Sequence, residues 1–387
     1  MNNPQIVVGK RFLFVLPQLE LGGAERQALH FARHLKGLGC DVRVWGHANP
    51  GLVVDQCKEA GIPWAFYYFR WPCRKRSLMR VSLGLLRFFR ALRRERPDVI
   101  LAYSSWPNIS CGLTWHWSTA KVFIWGQRDR VLGGDSIQRF AYRRATAVIC
   151  NASHEVDFLR RTLGESSAPV YIVNNGVDLE PCMKTRTEWR AEFEIDEDAT
   201  VVAMLANFRF QKDHPTLLHA WHKLLATIPE KEPRPRLLLA GAPQESFKTV
   251  HQLTNSLELF DTVSFLGQVD DISGLLTASD IGILTSPQEG LPNAIIEYMA
   301  SGLPVIATDT PGNREALGDD PEQPFCMQGD PESLASRLQV LLNDQNLRQR
   351  LGIRNRQRAL EKFSVDAMCR KTVGIIADQL DAVVEQI

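Results

Sequence analysis

Two tandem domains, each a doubly wound parallel α/β sheet, are what the sequence predicts, and three observations carry the prediction. The chain has 387 residues, more than one hydrophobic core usually organises. Short, nearly continuous apolar runs alternate with longer amphipathic stretches from end to end, the pattern of parallel strands covered on both faces. That rhythm restarts near residue 200 after a charged, strandless stretch, 178–198, which is the expected linker.

In the first half the strand-length runs are 12–16, 42–45, 63–67, 99–102, 122–125, 147–150 and 171–173. Helical spacing of apolar residues marks 25–37, 78–94, 136–144 and 153–163 between them. In the second half the runs are 201–205, 236–240, 263–266, 281–284 and 304–307, with helices such as 216–225, 293–300 and 331–342. The expected domains are residues 1–180 and 181–364.

Charge and cysteines narrow the setting. The formal net charge is +1, so the chain is neither a polycation nor a polyanion. Residues 1–180 carry 25 Lys and Arg against 14 Asp and Glu, whereas residues 181–387 carry 20 against 30. A basic half joined to an acidic one suggests units that meet different partners. The eight cysteines lie at least 16 residues apart. That spacing excludes a CxxC redox pair or a zinc knuckle and fits small hydrophobes in a reducing compartment. Ordinary proportions of Gly and Pro exclude collagen-like or low-complexity chains. No apolar run approaches the roughly 20 residues of a spanning helix, and no basic segment followed by a long apolar run opens the chain. A cytoplasmic protein without a transmembrane anchor is expected.

Doubly wound sheets bind ligands beyond the carboxyl ends of their strands, so the loops after strands are where chemistry is sought. Two such domains facing each other would place a cleft there. Gly22 and Gly23 follow the first strand and open the first helix. Glycine lets a ligand approach the backbone, and a helix start offers N–H groups to an anion; a plain hinge would use the same residues. The GxGxxG fingerprint is absent, which argues against a dinucleotide. Arg209 and Lys212 lie three residues apart on the loop after the first strand of the second half. An arginine fork and a lysine point charge suit a diphosphate, and a solvated loop would also accept them.

Residues 285–297 are the most informative stretch. A strand ends at Leu284, a turn carries Glu289 and Gly290, and a helix begins near Asn293, its first turn suited to a phosphate. Glu297 lies one turn in and points back toward the helix start, so both carboxylates could reach one ligand. A capping glutamate and an exposed one would give the same spacing.

Residues 281–309, IGILTSPQEGLPNAIIEYMASGLPVIATD, resemble the signature of glycosyltransferase family 4, the group 1 glycosyl transferases, retaining enzymes of GT-B fold. Further pieces match in order: the run from Gly22 to Arg26, the Val173-Asn174-Asn175-Gly176-Val177-Asp178 junction, Arg209 to Lys212, the strand before Gly241, and Phe265-Leu266-Gly267. The resemblance implies that Glu289 contacts the donor sugar and Glu297 the ribose hydroxyls. It implies that Arg209 and Lys212 neutralise the donor diphosphate. Gly290, Pro292, Asn293, Ala294 and Ile295 would wrap the sugar and distal phosphate, and Gly23 would lie near the diphosphate and acceptor. The first domain would hold the acceptor and the second a UDP- or GDP-linked donor. Residues 365–387 would form a helix returning to the first domain. The family needs no bound metal, no carboxylate metal site is evident, and no cofactor is expected.

One departure concerns the acceptor side. Many members carry a histidine after the strand that here ends at Trp125; this chain continues Gly126-Gln127-Arg128-Asp129. Gln127 or Arg128 is therefore the candidate replacement. His116, between Trp115 and Trp117, reads as a packing residue.

Residues 70–96 hold ten Lys and Arg against Glu95 alone. On a helical wheel Leu78, Val81, Leu85, Phe88, Phe89 and Leu92 share one side, with Arg80, Arg87, Arg90 and Arg94 roughly opposite. A solvated basic face satisfies this pattern. Attraction to anionic lipid headgroups satisfies it too, and would suit a polyprenyl or other lipid-linked glycan acceptor. No nucleic-acid module accompanies the stripe, so nucleic acid is not expected. The rival readings are a GT-B sugar-nucleotide epimerase or phosphorylase, a non-catalytic nucleotide-sugar-binding subunit, and, most weakly, a nicotinamide oxidoreductase.

Overall fold

The computed structural model describes residues 4–48, 50–67, 78–128, 133–178, 182–229 and 231–384, and in them the chain forms two all-parallel sheets. Strands β1 (Arg11–Leu16), β2 (Asp41–Gly46), β3 (Trp64–Phe66), β4 (Val99–Tyr103), β5 (Val122–Gln127), β6 (Ala147–Cys150) and β7 (Val170–Ile172) lie in the order β3-β2-β1-β4-β5-β6-β7. Strands β8 (Val201–Leu205), β9 (Arg236–Ala240), β10 (Val263–Gly267), β11 (Ile281–Leu284), β12 (Val305–Thr308) and β13 (Phe325–Cys326) lie in the order β10-β9-β8-β11-β12-β13. The doubly wound class holds for both, and each expected run is a strand. The edge strand β13 is only two residues long, too short to show a pattern. Cys73, Asp129, Arg70, Arg74, Lys75 and Arg76, with the side chains of Leu78, Arg80 and Val81, lie outside the described residues.

The chain divides into two compact units, Met1–Gly176 with Val365–Ile387, and Val177–Ser364. In the first unit β1 explains why its residues form a central strand. Phe12, Phe14 and Leu16 face one core while Leu13 and Val15 face another, and all five are fully buried. Burial on both faces leaves no polar position from Phe12 to Leu16, and each such side chain contributes about 1.5–3 kcal/mol. Helix Gly23–Gly37 packs on the Phe14 side through Leu29, Phe31 and Leu35. The last helix, Val365–Val384, brings Met368, Cys369, Ile376 and Leu380 into that same core. Six of the seven described cysteines are buried thiols, and all seven are unpaired.

The stretch expected to be a strandless linker holds no strand among its described residues, and it contains a helix. Residues Arg186–Glu192 are capped reciprocally by Thr185 and Glu188, and Trp189 is buried against helix Ile272–Ala278. One large apolar side chain and a capping box outweigh the local charge. Asp271 ties this helix down. Its carboxylate accepts from Met183 N–H (3.0 Å), Lys184 N–H (2.9 Å), the Trp189 indole (2.9 Å) and Gly274 N–H (2.9 Å). Burial pushes its pKa up, but the four donors outweigh that and hold it below the usual carboxylate range. A depressed native pKa contributes stability that is present above the unfolded value, near 3.9, and lost as pH falls through the native one. Asp271→Asn is expected to lower the unfolding free energy of the second unit by roughly 1.5–3 kcal/mol, because the amide NH₂ faces N–H donors. It should also flatten the acid limb of a stability–pH curve below about pH 4, measured by urea unfolding. An unchanged acid limb would place that dependence elsewhere.

Candidate active site

In the second sheet the winding reverses between β8 and β11, the switch point where doubly wound sheets take ligands. The loops leaving these two strands, 206–213 and 285–292, are the two that the sequence singled out.

The first loop is fastened to the loop after β9. Phe208 N–H donates to the Ala242 carbonyl (3.0 Å), Ala242 N–H to Asn207 Oδ1 (2.9 Å), and Ser246 N–H to the Phe208 carbonyl (3.0 Å). The approach is so close that a Cβ on Gly241 would lie 2.1 Å from the Ala206 carbonyl oxygen. Phe208 is buried and stacks on His214, with ring centroids 4.5 Å apart. Burial and the Lys212 charge bring the His214 pKa down to about 4, so the ring stays neutral. Asp213 takes a left-handed conformation (φ 50°), which aspartate tolerates, and caps helix His214–Leu225 through Thr216. A single 3₁₀ turn, Phe210–Lys212, is thereby fixed at both ends.

The second loop holds the first. The buried Thr285 hydroxyl shares its hydrogen between the Lys212 carbonyl (2.9 Å) and the Asp213 carbonyl (3.1 Å). Beneath them Tyr298 accepts from Leu205 N–H (2.5 Å) and donates to the Ile283 carbonyl (3.2 Å), clamping the ends of β8 and β11. The Tyr298 ring fits because residue 282 is glycine; a Cβ there would lie 2.4 Å from it. With the loops so placed, the Lys212 ammonium donates to Glu289 Oε1, and the two side chains are 26% and 15% exposed. Arg209 is exposed, and its Nε donates to Gln244 Oε1 on the loop after β9.

The Glu289–Gly290 turn is held from a third side. Helix Pro311–Leu317 starts so near it that a Cβ on Gly312 would lie 2.0 Å from the Gly290 carbonyl oxygen and 2.6 Å from that of Glu289. Helix Asn293–Ala300 follows the turn, with Pro292 at its N-cap offering no side-chain cap. Asn293 and Ala294 are half-buried at its start, Ile295 is wholly in the core, and Glu297 is 6% exposed one turn in. Ile295 can therefore meet a ligand only through its backbone.

The acceptor-side candidates lie in the first unit. Gln127 is fully buried and accepts from the Trp125 indole (3.1 Å), so part of its side chain is committed to the core. Arg128 donates to Asn175 Oδ1 and lies over the Tyr103 ring, 5.4 Å from its centroid. Asn108 fixes the preceding backbone through both its amide atoms, to Gly126 N–H (3.2 Å) and the Gly126 carbonyl (2.9 Å). Gly23 is exposed in the first turn of its helix, where Gln27 holds the Gly176 backbone through both amide atoms (2.8 and 2.9 Å). His116 packs edge-on against Trp115, but its own surface is exposed.

Thr285, Gln244, Tyr298 and Gly312 were not singled out from the sequence. The switch-point rule could have found Gln244, on the loop after the neighbouring strand; nothing local marks the others. Among the described residues no group of three or more His, Cys, Asp or Glu is placed to hold a metal, and no helix is long and apolar enough to cross a membrane.

Two doubly wound units in tandem, the second with a lysine–carboxylate pair at its switch point, define a protein of GT-B architecture. A model described as Glycosyltransferase Family 4 matches residues 21–181, and one described as Glycosyl transferases group 1 matches residues 185–358. The chain belongs to the group 1 glycosyltransferases of family 4. It is 29% identical over 304 residues to N-acetyl-alpha-D-glucosaminyl L-malate synthase of Bacillus anthracis, covering 74% of this chain and 76% of that protein. It is 26% identical to the lipopolysaccharide core biosynthesis glycosyltransferase LpsE of Rhizobium meliloti, covering 92% and 96%. Among solved structures, Anabaena Alr3699/HepE in complex with UDP and glucose superposes with a TM-score of 0.80 at 20% identity, covering 96% of this chain and all of that one. That likeness shows the fold.

Proposed function

We propose that this chain is a retaining hexosyltransferase that moves a sugar from a UDP- or GDP-linked donor to a glycan or polyprenyl-linked acceptor during assembly of a surface polysaccharide or glycolipid. The observation that carries the reading is the Lys212–Glu289 pair at the switch point of the second sheet. The lipopolysaccharide role named for the Rhizobium relative and the UDP in the Anabaena structure support the substrate classes.

The chemistry asks for what these residues supply. Breaking the bond between the anomeric carbon and the diphosphate sends an electron pair, and negative charge, onto the leaving oxygen. In this reading Lys212, Arg209 and the start of helix Asn293–Ala300 stabilise that charge. The acceptor oxygen bonds to the anomeric carbon on the face the diphosphate leaves, and its proton passes to the departing oxygen. Glu289 then orients the sugar without forming a covalent bond, Glu297 holds the ribose hydroxyls, and no metal or cofactor takes part. Arg128 stands on the acceptor side in place of histidine.

Thermal melting with UDP, GDP and ADP, then with their hexose conjugates, tests the donor. A nucleotide at about 100 times its Kd should stabilise the protein by roughly 2.7 kcal/mol. Glu297→Ala or Arg209→Ala should abolish the shift. Lack of stabilisation by any nucleotide would remove the donor-site reading, stabilisation without turnover would favour a regulatory subunit, and a glycosyl adduct trapped on Glu289 would overturn same-face attack.

A further inference from the structure

Helix Leu78–Glu95 of the first unit does not present a merely solvated basic face. Phe88 and Leu92 are buried and Leu85 half-buried, as an amphipathic helix requires. Leu83 (49% exposed) and Leu86 (39%), however, stand among exposed Arg87, Arg90 and Arg94. At one residue per 100° these five positions span about 100° of the helix, opposite Phe88 and Leu92. Leucine on a face kept for water alone has no partner for its apolar surface.

At its edge, about 60° round from Leu86, this face continues onto other elements. Phe89, one turn past Leu86, meets Trp117 edge-on with ring centroids 5.9 Å apart, and Trp117 is 61% exposed. The Arg144 guanidinium lies over the Trp117 ring (5.7 Å) and also over Phe140 (5.1 Å), which is 52% exposed. Ile137, one turn before Phe140, is exposed too, and Arg139 and Arg143 are exposed in the same helix and at its C-cap. Three separate elements thus bring protruding apolar groups and arginines to one contiguous surface. Among the described residues none of Arg87, Arg90, Arg94, Arg139 and Arg143 is in an ion pair.

We propose that this surface rests on an anionic membrane, with Leu83, Leu86, Trp117 and Phe140 entering the boundary between headgroups and acyl chains while the arginines meet lipid phosphate. The chemistry of the patch selects this occupant. Its apolar groups stand singly between cations, whereas the core of a protein interface is depleted of charge. A second copy of the same face would bring like charges together. A nucleic acid would match the charge but leave the leucines without a partner. Amphipathic rings and long cationic side chains fit the graded polarity at a bilayer surface.

Sedimentation of the purified full chain with lipid vesicles tests this. Vesicles of phosphatidylcholine containing phosphatidylglycerol should bind the protein, vesicles of phosphatidylcholine alone should bind it far less, and added salt should weaken the attraction. Arg87→Glu with Arg90→Glu, and separately Trp117→Ala with Phe140→Ala, should each weaken binding about tenfold or more. All four side chains are at the surface, so melting temperature and nucleotide stabilisation should stay those of the wild type and separate lost binding from lost folding. The proposal fails if anionic vesicles bind no protein, or bind both variants as well as the wild type. It also fails if the variants abolish a dimer or an RNA complex while vesicle binding persists. Vesicle binding is measured without donor or turnover, so it and the transfer reading can fail independently.

Discussion

Lys212→Ala is expected to lower kcat for sugar transfer by about 10²–10³-fold, the usual effect of removing one preoriented group that stabilises a leaving oxyanion. The ammonium is held before any donor arrives. The loop carrying it is fastened to the loop after β9, capped by Asp213, and bonded through its carbonyl to Thr285. Its side chain meets Glu289, so the same cation also fixes the carboxylate proposed to orient the sugar. Truncation removes both effects, and kcat should fall more than the donor KM rises. Lys212→Arg should not restore full activity, because a planar fork replaces a point charge on a short reach. Steady-state kinetics with the donor found by thermal melting makes the comparison. A Lys212→Ala enzyme within about threefold of the wild-type kcat would remove this residue from the mechanism.

The second large effect is expected from a single methyl group. Gly312 lies in the first turns of helix Pro311–Leu317, where alanine would ordinarily favour the helix by about 0.5–1 kcal/mol. Here its Cβ would sit 2.0 Å from the Gly290 carbonyl oxygen and 2.6 Å from that of Glu289, both backbone atoms. Neither can rotate away, so the turn or the helix must move. Gly312→Ala is therefore expected to reduce kcat/KM by about 10²-fold, as a displacement near 1 Å does in a positioned site. Overpacking should also lower stability by about 1–3 kcal/mol. Gly37→Ala provides the control, since nothing lies within 4 Å of the Cβ position there. Full activity in Gly312→Ala, with the fold intact by melting, would mean that this contact does not place the Glu289 turn.

The β-strands were legible because a parallel strand buried on both faces has no polar position to interrupt it, as β1 shows from Phe12 to Leu16. The candidate-site loops at the ends of β8 and β11 were legible because switch-point loops carry charged and glycine residues between apolar runs. Helix Arg186–Glu192 was not, since its place depends on one tryptophan finding helix Ile272–Ala278 far along the chain. The helical wheel also chose correctly in helix Leu78–Glu95: Leu85, Phe88 and Leu92 face inward, and Leu83 and Leu86, left off that side, protrude. What it could not give is the contact of Phe89 with Trp117, which comes from a separate segment.

The alternation of apolar and amphipathic segments determined by itself that there are two parallel sheets, because local pattern dictates which faces must leave water. It also determined which loops emerge at the ends of β8 and β11. Tertiary structure alone decided what those loops meet. Lys212 and Glu289 are 77 residues apart and touch only because Thr285, Tyr298 and the missing side chain at Gly312 let three backbone segments close around them. Contacts of that kind depend on distances between segments, and such distances leave no periodic trace along the chain.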